Sequence, residues 1–215
     1  MMTSLDGRID CAMTSQLKGV DDYYKTLDML NVPTTVSGRV TAELEMALPG
    51  TFTSDVKMPY GKTGFSKKND ATGYEIVIDS KGKLLWEDAS EMDKPYLIIT
   101  FEQVSKEYLD YLDGQHISWI AVGKDKPDLA AASEILAEKF GVSRMAVVGG
   151  PIINTAFLTS GLLDEISILM GAGIDGRGGM PAVFDGLDKN SKVISLTLDS
   201  VQKFQSGAVW LRYRV

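Results

Sequence analysis

The chain is poor in the side chains that many enzymes use to attack a substrate directly. It has one cysteine, Cys11, and one histidine, His116, among 215 residues. A single cysteine excludes an intrachain disulfide and a cysteine-rich metal site. A single histidine excludes a paired-histidine zinc site, and no Gly-x-Ser-x-Gly elbow offers a hydrolase nucleophile. His116 stands between Gln115 and Ile117 at the start of a strand pattern, where a structural role is expected. No apolar run approaches the ~20 residues that a membrane span requires. The N-terminus also lacks the basic-then-apolar layout of a secretion signal. Positive charge is scarce as well, with 22 Lys and Arg against 29 Asp and Glu, a net charge of −7. That field repels nucleic acid and anionic membranes, so neither is an expected partner. An anionic small molecule remains admissible, because backbone N–H groups and one or two basic side chains can hold a phosphate whatever the net charge. These features together point to a cytoplasmic protein.

Apolar residues make up 44% of the chain and charged residues 24%, proportions sufficient for an ordinary packed core. The length suits one α/β domain over residues 1–215. Residues 96–101 (YLIITF) form a continuous apolar run of strand length. Val104, Tyr108, Tyr111 and Leu112 then recur on one face of a helix. Residues 117–122 (ISWIAV) read as the next strand, followed by Gly123. Leu129, Ala132, Leu136 and Phe140 mark a second amphipathic helix with Gly141 as its C-cap. A strand over 145–148, a helix through Ile153, Ala156 and Phe157, and a strand over 166–170 complete the series. Four strands joined by three helices imply parallel βαβ units. Strands are also expected over 32–37 and 75–78, with a polar loop over 50–73 between them. At the C-terminus, Ile194, Leu196 and Leu198 alternate with polar residues, Ser206-Gly207 signals a turn, and residues 209–215 alternate again. That is an antiparallel hairpin added to a mostly parallel, mixed sheet.

Three glycine sites merit separate weighing. Gly149-Gly150-Pro151 lies between a strand and a helix containing Ile152 and Ile153. Glycine lets the backbone approach a ligand, and a helix start offers free N–H groups, an arrangement that suits a pyrophosphate. A tight turn without ligand accounts for the same residues. Gly38-Arg39-Val40-Thr41 also follows a strand, and Arg39 and Thr41 could hold a phosphate; a surface arginine after a turn is the alternative. The third, Gly171-Ala172-Gly173-Ile174-Asp175-Gly176, is a literal G-x-G-x-x-G. The dinucleotide fingerprint must open a helix, whereas Arg177-Gly178-Gly179-Met180-Pro181 follows here. This stretch is a glycine-rich loop.

Ser4-Leu5-Asp6-Gly7-Arg8-Ile9 closely resembles the Ser-Leu-Asp-Gly-Lys/Arg segment of the riboflavin-biosynthesis reductases (the RibD C-terminal domain family). Gly38-Arg39-x-Thr41 resembles that family's first strand-to-helix turn. Gly149-Gly150-Pro151, the later Gly161-Leu162-Leu163-Asp164-Glu165, and Gly176-Arg177-Gly178-Gly179 with Pro181 and Phe184 resemble its remaining landmarks in the family's order. The resemblance implies a dihydrofolate-reductase-like α/β fold: three layers, a mixed, mostly parallel sheet, helices on both faces and an antiparallel C-terminal hairpin. It implies NADPH as hydride donor, a homodimer, and as substrate a small heterocycle, phosphorylated in the 5-amino-6-ribosylaminouracil phosphate type. By the same resemblance Gly38, Arg39, Thr41, Gly149, Gly150, Pro151, Ile152 and Ile153 line the cofactor, with Thr100 and Gly123 at neighbouring strand ends. Asp6 and Ile9 lie beside the nicotinamide and the substrate cleft, with Asp6 or water as proton donor. Ser4, Glu45, Lys57 and Lys62 are the expected substrate contacts.

The chain departs from the family in several places. A glutamate that holds the substrate ring precedes the family's Gly-Gly turn, and Val148 stands there. The usual Asp-Pro segment after the Gly-Arg-x-Thr turn is absent. No counterpart of the deaminase domain often fused to these reductases is seen, and a short first strand is expected. Residues 50–73 replace the family's substrate-binding segment and carry Lys57, Lys62, Lys67 and Lys68 with Tyr60 and Phe65. They suggest a mobile lid over an anionic planar substrate, with a solvated surface loop as the alternative. Two other functions stay open. One is a dihydrofolate or pterin reductase, with Asp21 or Asp22 facing the ring or merely capping a helix. The other is a nucleotide-binding module that has lost catalysis.

Overall fold

The computed structural model describes residues 1–55 and 58–215. In chain order the first elements are β1 (Met2–Thr3), α1 (Cys11–Thr14), α2 (Val20–Leu30), β2 (Thr34–Gly38), α3 (Arg39–Glu45), β3 (Gly64–Ser66) and β4 (Glu75–Ile78). Then come β5 (Tyr96–Thr100), α4 (Lys106–Gly114), β6 (Ser118–Ala121), α5 (Leu129–Phe140), β7 (Met145–Gly149), α6 (Pro151–Thr159), β8 (Glu165–Met170), β9 (Thr197–Lys203) and β10 (Val209–Arg214). The chain divides into two compact units, one of Pro33–Gly150 and one of Met1–Val32 with Pro151–Val215.

The Pro33–Gly150 unit is built on a sheet of order β3-β6-β5-β4-β2-β7. Its strands pair in parallel except β3, which joins β6 antiparallel at the edge. Leu97, Ile98, Ile99 and Thr100 are all buried, as is every residue of β6. Continuous burial means that both faces are covered, which is why these strands read as unbroken apolar runs. Val77, Ile98 and Trp119 share one core cluster with Ala42 of α3 and Tyr108, Leu109 and Leu112 of α4. Each fully buried large aliphatic side chain contributes roughly 1.5–3 kcal/mol. Helix α5 buries Leu129, Ala132, Leu136 and Phe140, the four residues that its periodicity singles out, and ends at Gly141 with φ 70°.

A buried carboxylate organises the chain after β4. Asp79 is fully buried and accepts from the backbone N–H groups of Lys81, Lys83 and Leu84 and from the Tyr108 hydroxyl at 3.0 Å. Burial, with Asp79 alongside, pushes the Tyr108 phenol well above its ordinary value. The phenol therefore stays protonated and keeps donating.

The second unit holds a sheet of order β1-β8-β10-β9. Here β1 pairs with β8 in parallel, and β10 pairs antiparallel with both β8 and β9. Trp210 donates from Nε1 to Ser167 Oγ at 2.8 Å, and Arg212 makes a two-bond pair with Glu165 at 2.8 and 2.6 Å. Helix α2 is tied to the β9–β10 turn by Ser206, whose Oγ donates to Asp22 at 2.7 Å.

The mixed α/β fold agrees with the expectation, and the first strand is short, but the neighbour relations differ. Of the four strands in the predicted series, β5 and β6, joined by α4, are the one pair of parallel neighbours. After α5 the chain returns to the far side of β2 as β7, and β8 belongs to the other sheet. The terminal hairpin is therefore not an extension of the parallel sheet. Periodicity reports which face of a strand is buried, and says nothing of which strand lies beside it. The ninth strand is also displaced. The alternation at 194–198 predicts it early, whereas pairing with β10 runs from Thr197 to Lys203. The described residues of 50–73 are not an open loop either. β3 lies within them, Phe52 N donates to Lys83 O, Tyr60 N to Val104 O and Gly61 N to Glu102 O. Phe52 packs against Tyr108 and Tyr111. The described part of the expected lid is thus docked on the sheet, and Lys57 lies outside the described residues.

Candidate functional site

The topology of the six-stranded sheet singles out one crevice. From β2 the chain moves outward through β4, β5 and β6, then returns with β7 on the opposite side of β2. In open α/β sheets, ligands bind beyond the carboxyl ends of the strands where this reversal occurs. Here those ends are Ser37-Gly38, leading into α3, and Gly149-Gly150 at the close of β7.

The helix starts in this unit are not alike. Ser105 caps α4 by accepting from Tyr108 N, and Asp128 caps α5 by accepting from Ala130 N and Ala131 N at 3.1 Å. Helix α3 begins after Gly38, which is extended at φ −91° and ψ 168° and supplies no side-chain cap. Two of the three helix starts are thus closed by their own residues, and the third, at the reversal point, is open to an external acceptor. Arg39 lies at this start and holds Glu43 one turn along at 2.5 Å. It is partly exposed and paired within its own helix.

Gly149 and Gly150 have different reasons to be glycine. A Cβ on Gly149 would come within 3.1 Å of Thr41 Oγ1, so this glycine lets β7 close against α3. A Cβ on Gly150 would meet nothing within 4 Å. The space beside Gly150 is therefore free of protein atoms, and a ligand could approach the backbone there. Among the described residues, Ser37 Oγ and Thr100 Oγ1 are buried without a hydrogen-bond partner. Both lie at the carboxyl ends of their strands, β2 and β5. Thr100 was expected from resemblance, while Ser37 was missed, because a serine in a strand carries no distinguishing signal.

Gly123, at the end of β6, serves its own turn. Its φ is +93°, and a Cβ would fall 2.1 Å from Lys126 O. Lys62 lies two residues before β3, whose first residue pairs with Ala121 at the end of β6. It therefore stands at the same end of the strands as Gly38 and Gly149, four strands from β2, roughly 19 Å away, with its ammonium 5.5 Å from the Tyr60 ring centroid. Lys67 and Lys68 are paired with Asp70 and Asp113. Glu45 ends α3 on the exposed surface. Val148 occupies β7 immediately before Gly149.

In the other unit, the Ser4–Arg8 turn and the glycine-rich loop are one structure. Leu5 N donates to Gly173 O at 2.7 Å, Ile9 N to Pro181 O at 3.1 Å, and Arg8 Nη1 to Met180 O at 2.6 Å. The Asp6 carboxylate accepts from Ser4 Oγ at 2.7 Å, Asp175 N at 3.0 Å and Gly176 N at 3.1 Å. The Ser4 hydroxyl and then the two amides hold the Asp6 carboxyl well below the usual carboxylate range. At neutral pH it therefore has no proton to give. Ser4 Oγ also accepts from Arg8 N, so the hydroxyl expected at the substrate is engaged inside its turn. Ile9 is buried. In the literal G-x-G-x-x-G, Gly171 and Gly173 have no vacant space, since a Cβ on either would strike the Leu17 side chain, at 2.9 and 2.5 Å. No helix follows, in agreement with the reading as a loop. Pro151 opens α6, and Ile152 is exposed in its first turn with Ile153 beside it. Asp22 is held below its ordinary pKa by the Ser206 hydroxyl and by Lys25, and acts as a strut between α2 and the hairpin turn.

Residues 1–210 match the RibD C-terminal domain. The chain belongs to that family. Among solved structures, this RibD C-terminal domain chain is similar to a pyrimidine reductase-like protein of Corynebacterium diphtheriae, at 18% identity and a TM-score of 0.69, over 100% of this chain and 89% of the other. It is similar to RibD of Acinetobacter baumannii at 16% identity and a TM-score of 0.67, over 100% of this chain and 56% of that one. A diaminohydroxyphosphoribosylaminopyrimidine deaminase/5-amino-6-(5-phosphoribosylamino)uracil reductase of Thermotoga maritima gives 17% identity and a TM-score of 0.63, over 99% of this chain and 54% of that one. The chain thus spans about half the length of the latter two. At such identities the likeness carries the fold, and substrate must be argued from the site.

Proposed function

We propose that this RibD C-terminal domain chain is an NADPH-dependent reductase of a phosphorylated pyrimidine of the 5-amino-6-(5-phosphoribosylamino)uracil type. The observation that carries the reading is the open start of α3 at the point where strand order reverses. The residues there fit a dinucleotide. Backbone N–H groups after Gly38 suit a phosphate, Gly150 leaves room for close backbone approach, and Ser37 and Thr100 each bring a buried hydroxyl without a partner. Arg39, released from Glu43, would pair with the phosphate that distinguishes NADPH from NADH. Thr41 would hold β7 and α3 in register through Gly149. Pro151, Ile152 and Ile153 would serve the cofactor from the start of α6.

When bound, the nicotinamide supplies a hydride, so the protein needs to bind, orient and exclude water rather than attack. That suits a chain with one histidine and one cysteine. Asp6 is already ionised, so the proton accompanying the hydride would come from water. Lys62 would meet the anionic end of the substrate, with Glu45 as a further polar contact. A reductase of this kind works in the cytoplasm, where NADPH is available.

The chain acts as a homodimer in this reading. Every residue of β9 is exposed at the end of its sheet, with Leu198 and Val201 among them. An exposed strand edge is a surface that a second copy can cover. Sedimentation equilibrium should therefore give about twice the chain mass.

Titration with NADPH and NADH, followed by nicotinamide fluorescence and melting temperature, tests the assignment. At a hundredfold excess over Kd, NADPH should stabilise the protein by about 2.7 kcal/mol, and NADH by less. Oxidation of the bound cofactor should then require the phosphorylated pyrimidine. Binding without oxidation would favour an idle nucleotide-binding module, which Val148 in place of the family glutamate supports. The pterin-reductase reading receives no such support, since Asp22 is committed to Ser206.

A further inference from the structure

The glycine-rich loop that follows β8 poses a physical problem. Five of the nine residues from 171 to 179 are glycine, and glycine loses more conformational freedom on ordering than any other residue. Such a loop takes one shape only if something pins its backbone. Two side chains do so here. Asp6 reaches it from the N-terminal turn and accepts from Asp175 N and Gly176 N, at 3.0 and 3.1 Å. Arg177 grips it from within, donating from Nε to Asp175 Oδ1 at 2.5 Å and from Nη2 to Asp175 Oδ2 at 3.1 Å. The same Nη2 donates at 2.8 Å to Asp10, the N-cap of α1. One loop residue, Asp175, is therefore held by its backbone through Asp6 and by its side chain through Arg177. The brace itself is braced. Ser4 Oγ donates to Asp6, and Gly7, with φ +79°, closes the turn that presents Asp6.

We propose that Asp6 and Arg177 are positioning residues that preorganise the glycine-rich loop for substrate, and that Asp6 takes no part in proton transfer. The assignment rests on the reductase reading, in which Asp6 and Ile9 border the substrate, for what the loop bonded to them serves, and on geometry alone for what holds the loop. A carboxylate accepting from three donors is already satisfied as an anion, and its low pKa follows from those bonds. Its contribution reaches the reaction through the shape of the loop. Without the brace, substrate binding must order the loop, and that cost appears in KM.

The test combines amide exchange with kinetics in the full chain. Hydrogen exchange of the 171–181 segment, read by mass spectrometry without ligand, should quicken in Asp6→Asn and in Arg177→Gln, with little change in the six-stranded sheet. The double variant should add little to either single change, because both act on Asp175. With NADPH and 5-amino-6-(5-phosphoribosylamino)uracil, each single variant should raise KM about tenfold and leave kcat and its pH profile close to those of the parent. Unchanged exchange in both variants would overturn the brace. A fall of three orders of magnitude in kcat for Asp6→Asn, with a displaced pH profile and unchanged KM, would make Asp6 a proton-transfer group and overturn the second half of the assignment. Should Asp6→Asn fail to fold, Arg177→Gln, altering a half-exposed side chain, carries the test alone. If the parent does not oxidise NADPH, the reductase reading fails, and the exchange measurement still decides whether the brace exists.

Discussion

Gly149-Gly150 and the 171–179 loop both follow apolar strands, yet the space around them is used in opposite ways. Beside Gly150 no protein atom stands where a Cβ would go. Beside Gly171 and Gly173 the Leu17 side chain fills that space, and the next amides, those of Asp175 and Gly176, are spent on Asp6. The stretch that matches the dinucleotide pattern letter by letter is thus packed at Gly171 and Gly173 and bonded beyond them, while Gly150, which lies in no such pattern, is open. Glycine permits close approach, but tertiary neighbours decide whether the visitor is a ligand or the protein itself.

The largest expected effect separates the two regions. Gly150→Val should leave the melting temperature nearly unchanged, because the space is vacant, and should weaken NADPH binding by up to about a hundredfold, measured by fluorescence titration. Equal loss of stability and binding would break the comparison. Gly171→Val should behave in reverse, costing about 1–3 kcal/mol in urea unfolding with NADPH affinity retained, since it would press on Leu17 and Met2. Arg39→Met sharpens the assignment further. It should weaken NADPH about tenfold and leave NADH binding as it was. Lys62→Ala should act less strongly, raising KM for the phosphorylated pyrimidine about threefold and not for its dephosphorylated form.

The smallest effect is one of pH. The Asp6 pKa is depressed from its ordinary 3.8. Its share of stability is therefore complete above about pH 4 and is lost as pH falls through the lower folded value. Asp6→Asn should flatten the decline of melting temperature below pH 4 and leave the slope above it unaltered.

Much of the fold was legible because burial leaves a period in the chain. The α5 stripe, its Gly141 cap and the Ser206-Gly207 turn all occur where the pattern places them. Strand neighbours were not legible. Nothing in 145–149 indicates that β7 lies beside β2, and nothing in 166–170 assigns β8 to another sheet. Asp79 was also passed over, since an acid after a strand usually marks a solvated turn, and only the packed core shows three amides and a tyrosine converging on it. Asp6 was noticed for its motif, with Asp6 or water as the proton donor, but its three hydrogen-bond donors come from a turn and a loop about 170 positions apart in the chain.

By itself, the sequence determined the α/β class, the helix and strand faces, the turns that need glycine and the scarcity of direct nucleophiles. Each of these follows from local conformation or from composition. Only the tertiary structure decided which helix start stays open, which glycines face vacant space and which carboxylates are already satisfied. Those properties depend on the atoms that arrive from elsewhere in the chain, and a residue carries no mark of the neighbour that folding will bring to it.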